Sequence, residues 1–168
     1  MSDFCGVLLN FFNFSLFAII FCVCAICPVW DLKNMKVPDF VIFIGIAAII
    51  FCNLFFSKDG TVFSLSKFMQ SVLTGVLTGL FYFIVKIICH GKLGNGDILF
   101  GIFQGVCLTP KGVVFCLAIE VLSAATFVLI KKILCKESTS YSSEKKPFIP
   151  FMAAGLLISY IVINYIQV

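Results

Sequence analysis

Three carboxylates stand where an apolar chain has no cheap place for them. Asp31 and Asp97 lie at junctions between apolar runs, and Glu120 interrupts the middle of another. Ionisable groups at membrane depth are costly and usually serve a function. Two carboxylates held close in a low-dielectric site do not both ionise cheaply, so they tend to share one proton. The ionised member can then act as general base on a water while the protonated member polarises a scissile carbonyl. That division of labour hydrolyses a peptide bond with no metal, cofactor or nucleophilic side chain. Asp97 closes the stretch Gly94-Asn95-Gly96-Asp97, and two glycines so spaced permit φ > 0 and close helix approach, which shapes the site around the acid.

Other intramembrane chemistries find little support. There is no His-Glu-x-x-His pattern for zinc, and the only histidine, His90, falls at a helix end beside a loop, too far out for a serine–histidine pair in a span. Nine cysteines lie mostly inside apolar runs, where a thiol behaves as a small hydrophobe and not as part of a disulfide framework. Cys24 and Cys27 have metal-like spacing, but no second pair accompanies them.

The elements that must position these acids are apolar helices. The chain is 61% hydrophobic with 21 phenylalanines and a mean hydropathy of +1.15, against about half apolar in soluble domains. An all-α, integral membrane bundle in one domain, 1–168, is the expectation. Six spans are read: Gly6 to Trp30, ended by Pro28 and Trp30 and retained rather than cleaved; Phe40 to Phe56, opened by Pro38; Ser71 to Cys89; a short Ile98 to Leu108 turning at Thr109 to Gly112; Val113 to Ile130; and Pro147 to Ile166. Residues 62–70 are interfacial or begin the third span. Gly75 and Gly79 form a small-xxx-small face. Residues 131–146 form the one hydrophilic loop.

Six crossings sort the twelve lysines into nine on one face and three on the other (Lys58, Lys67 and Lys111). The positive-inside rule then puts the nine-lysine face in the cytoplasm and both termini outside. Asp31 and Asp97 fall on that same face. The basic balance fits a membrane surface, and no nucleic-acid partner is implied.

Against this background Asp31-Leu32-Lys33-Asn34-Met35-Lys36-Val37-Pro38-Asp39 resembles the first-aspartate motif of type IV prepilin peptidases, and Gly94-Asn95-Gly96-Asp97 resembles their second. Pro147-Phe148-Ile149-Pro150-Phe151 is similar to the motif opening that family's last helix. The resemblance implies an aspartic endopeptidase that removes the short basic leader of prepilin-like precursors at the cytoplasmic face, with Asp31 and Asp97 as the catalytic pair. It points to the short, peptidase-only forms, similar to archaeal preflagellin peptidases and the enzymes of tight-adherence pili, since the first acid comes at position 31. Gly94, Gly96, Pro38, Asp39, Pro147 and Pro150 are assigned to shaping the site, the prolines by fixing how helices begin and Asp39 as a helix-start acid.

Two departures from that family stand out. Leu99 occupies a position where the family often has lysine, which either leaves the Asp97 pKa higher or hands the lysine's role to another lysine. Glu120 is either an interior polar contact or an accessory group for the leader or the proton network. Plainer roles are a helix-end acid balancing Lys33 and Lys36 for Asp31, and an N-cap for Asp97. The rival functions are another G-x-G-D intramembrane protease, argued against because Asp31 stands beside a loop, and a small transporter or scaffold using Asp31, Asp97 and Glu120 as an ion path. Homo-oligomerisation is left open.

Overall fold

A computed structural model describes residues 2–34, 38–55, 65–89, 93–134 and 148–163. Six helices occupy them: α1 (Ser2–Asn34), α2 (Asp39–Phe55), α3 (Leu65–Ile88), α4 (Asn95–Cys107), α5 (Pro110–Leu134) and α6 (Ile149–Ile161). No strand occurs among the described residues, so the fold is all-α. Among the described residues three stretches are long and apolar enough to cross a membrane: Phe14–Asn34, Leu65–Ile88 and Pro110–Phe127. His90, Pro147, Val37 and the hydrophilic stretch 135–147 lie outside the described residues.

The boundaries correct several expectations. α1 does not stop at Pro28 and Trp30 but runs on to Asn34. Proline inside a helix loses one N–H and crowds the carbonyl four residues back, which can kink a helix without ending it, and the residues after Pro28 include Lys33, favourably placed in the last turn. Asp31 therefore lies in the final turn of a helix and not in a polar bridge. Thr109 to Gly112 is likewise the start of α5 and not a free turn. Thr109 Oγ1 accepts from the Gly112 N–H at 3.3 Å as an N-cap, with Pro110 at the first helical position. α3 begins at Leu65, earlier than Ser71, and α5 carries Lys131 and Lys132 beyond Ile130.

The shortest helices build the centre. At 13 residues α4 is about 20 Å long, short of the ~30 Å hydrocarbon core. It packs against α2, α3, α5 and α6, and its buried face presents Asp97, Phe100, Gly101, Phe103, Gln104, Gly105 and Val106. Its most extensive partner is α3, because glycines on both sides let the backbones approach. Gly75 and Gly79 of α3 face Val106 and Ile102, while a Cβ on Gly105 would stand 2.6 Å from the Thr74 carbonyl oxygen and 2.7 Å from Gly75 Cα. The core is completed by Ile20, Ile42, Ile49, Met152 and Leu156. Outward faces carry Phe40, Phe51, Phe83, Ile87, Val114 and Leu129 exposed, an apolar exterior that water would not favour and lipid would.

Candidate active site

Asp31 and Asp97 come from helices that differ in every local respect, yet both are buried, at 7% and 8% exposed. Asp97 is the third residue of α4 and Gly94 its N-cap. Asp97 Oδ2 accepts the Gly94 N–H at 2.7 Å, the backward reach that a capping box uses. The acid is thus not the N-cap itself. Gly94 has φ −73° and ψ 161°, ordinary extended backbone, and Gly96 is helical. The left-handed freedom expected of these glycines is not used, and what Gly94 supplies is its N–H.

Asp31 is met from the other side by α6. Phe148 caps that helix and Pro150 follows Ile149, so the first turn has one fewer N–H, and the Ile149 N–H bonds to the Asp31 carboxyl. Asp97 lies in the first turn of α4, where the backbone dipole favours negative charge, whereas Asp31 lies in the last turn of its own helix and faces the N-terminus of α6. The two carboxyls are near enough to interact electrostatically. Asp31 Oδ2 is buried with no hydrogen-bond partner among the described residues.

A cation that reaches Asp97 is Lys86, in the last turn of α3. Its ammonium hydrogen-bonds to Asn95 Oδ1 and acts electrostatically on Asp97. Sequence reasoning had counted Lys86 only toward topology. Its place in the turn immediately before the glycine motif was the signal that could have found it. Leu99 belongs instead to the apolar packing around the core. Pro38 directly precedes α2, its carbonyl accepting from the Val41 N–H at 2.9 Å, and Asp39 is an exposed acid in the first turn.

Glu120 is 1% exposed in α5 and is held by Tyr82, Gln104 and Cys116. Of the two roles open to it, interior polar contact is the one these bonds describe. No group of three or more metal-ligating side chains that could hold an ion occurs among the described residues.

Among the described residues the bundle is all-helical, and it brings two buried carboxyls within electrostatic reach of each other. A sequence profile described as the Type IV leader peptidase family matches residues 17–129, a stretch that contains Asp31, Asp97 and Glu120, and the chain belongs to that family. It is therefore a peptidase, and its family implies a prepilin-like substrate; the transporter and scaffold readings give way. Neither a curated protein nor a solved structure matches it. Asp31 lies in the last turn of α1, beside the stretch that follows it, and the family match separates this chain from other G-x-G-D proteases.

Proposed function

We propose that the chain is an aspartic endopeptidase whose Asp31 and Asp97 form one catalytic dyad, cutting the basic leader from prepilin-like precursors at the cytoplasmic face. The observation that carries this reading is that two buried carboxyls, one on α1 and one on α4, lie within electrostatic reach of each other, with Asp31 Oδ2 lacking a hydrogen-bond partner among the described residues. Burial opposes charge on Asp97, while the Gly94 N–H and the Lys86 cation favour it; one carboxylate of the pair serves as the base and the other carries the shared proton. Water loses a proton to the ionised carboxylate as its oxygen attacks the scissile carbonyl carbon, while the protonated carboxyl donates a hydrogen bond to the carbonyl oxygen. Collapse of the tetrahedral intermediate breaks the C–N bond and returns a proton to the leaving amine.

On this reading residues 1–168 make one multi-pass domain with both termini outside, in keeping with the lysine distribution. Pro38, Asp39, Gly94, Gly96, Pro147 and Pro150 shape the approach to the dyad. The test is co-expression in membranes with a precursor bearing a basic leader, a glycine and an apolar helix. A shortened product is expected from the parent and from neither Asp31→Asn nor Asp97→Asn. Full cleavage by either variant would overturn the dyad.

A further inference from the structure

The polar groups of the interior that the dyad does not use converge on Glu120. Its Oε1 accepts from Gln104 Nε2 at 2.5 Å and from Cys116 Sγ at 3.2 Å, and its Oε2 is hydrogen-bonded to Tyr82 Oη. Gln104 Nε2 also donates to the Met152 carbonyl oxygen at 2.9 Å. A carbonyl can only accept, which fixes the amide: nitrogen toward Met152, oxygen toward Tyr82 Oη at 3.3 Å. Tyr82 Oη thus touches two oxygens, Glu120 Oε2 and Gln104 Oε1, and a phenol has one proton to give. With an ionised Glu120, one of those oxygens would face Oη with no hydrogen between them.

A proton on Glu120 Oε2 resolves the count. Glu120 then donates to Tyr82 Oη, Tyr82 donates to Gln104 Oε1, and Gln104 Nε2 donates to Glu120 Oε1. The circle closes with all donors used, and Oε1 is the carbonyl oxygen with both lone pairs engaged. The titratable groups facing Glu120 are Tyr82 from α3 and Cys116 from α5, and the bonds from α4 and α6 are made by Gln104 and the Met152 backbone. Room for the carboxyl comes from Gly155 of α6, where a Cβ would stand 2.7 Å from Glu120 Cγ.

The placement of this circle relates it to the dyad. Gln104 lies seven residues after Asp97, two turns along the same face of α4. Met152 lies three residues after Ile149, whose N–H meets Asp31. Tyr82 packs against Gly101 of α4 and is within electrostatic reach of Asp97. A bond that fixes α4 against α6 at Gln104 and Met152 therefore fixes, two turns away, how Asp97 faces Asp31.

We infer that Glu120 is a neutral carboxylic acid closing a hydrogen-bonded ring with Tyr82 and Gln104, and that this ring is the positioning device that sets Asp97 against Asp31. The positioning part rests on the dyad reading; the neutral ring does not. Glutamine can replace a neutral acid here, its N–H donating to Tyr82 Oη and its oxygen accepting from Gln104. Glu120→Gln is expected to cleave precursor within about threefold of the parent. Tyr82→Phe and Glu120→Leu are expected to lose up to about 100-fold in kcat, the scale of a small misplacement of reacting groups, with KM little changed.

An infrared difference spectrum of parent minus Glu120→Gln in membranes should show a protonated carboxylic acid band in the parent only. Absence of that band, or Glu120→Gln as impaired as Glu120→Leu, would overturn the ring. Unaltered kcat in Tyr82→Phe would overturn the positioning role. Should Glu120→Leu fail to fold, Tyr82→Phe and the spectrum still decide. If the parent cleaves no leader-bearing precursor, the dyad reading falls, the positioning role falls with it, and the band alone judges the ring.

Discussion

Two groups of polar side chains lie along α4, one at its first turn and one two turns further in, and they differ in how completely their hydrogen bonds close. At the first turn Asp97 has the Gly94 N–H and a nearby Lys86, Asp31 has the Ile149 N–H, and one buried carboxyl oxygen is left over. Further in, the side-chain oxygens and nitrogen of Tyr82, Gln104 and Glu120 are all engaged. Leaving a buried acceptor unpaired costs about 1–3 kcal/mol, and besides Asp31 Oδ2 only Ser159 Oγ is so left among the described residues; a catalytic role is one reason a structure keeps such a group. A fully satisfied network rigidifies its surroundings. On the proposed reading the same side-chain chemistry serves reaction in one place and geometry in the other.

Breaking the open site should have the largest effect. Asp31→Asn or Asp97→Asn is expected to lower precursor cleavage by about 10⁴-fold or more, the scale for one member of a catalytic unit, with little change in the thermal midpoint of the purified protein. Next comes the close contact that brings α3 to α4. Gly105→Ala places a Cβ against the Thr74 carbonyl and Gly75 Cα, and such overpacking should destabilise by about 1–3 kcal/mol. A lowered melting midpoint with a parallel fall in cleavage would register it.

The electrostatics offer a gentler probe. Only a singly protonated dyad works, so kcat/KM should be bell-shaped in pH, with apparent values that belong to the pair. Lys86→Met withdraws a cation that favours charged Asp97, so more alkaline conditions are needed to ionise it, and the acid limb should move to higher pH. A limb that stays in place would detach Lys86 from the site. Smallest of all, Asp39→Asn is expected to leave cleavage within about twofold, since an exposed first-turn acid contributes only some 0.3–1 kcal/mol to its helix.

The chain displays its spans openly, because lipid demands continuous apolar runs and little else. It also displays Asp31, Asp97 and Glu120, since a carboxyl in such a run is conspicuous. What it conceals is register. That Asp31 belongs to α1 and not to a loop depends on a helix continuing past Pro28 and Trp30, where local signals argue for a stop. The partnership of Gln104 with Met152 joins residues 48 apart, and Gly101 and Gly105 matter only once α3 is known to lie on them. Tyr82 looks like one more aromatic residue until α5 brings Glu120 to it.

The central claim is that Asp31 and Asp97 act as a unit, and a double-mutant cycle on precursor cleavage tests it most directly. The account predicts that Asp31→Asn, Asp97→Asn and the double variant share nearly the same residual rate, because losing either member disables the pair. Residual rates in which the two losses multiply would contradict it, showing two carboxyls that work independently.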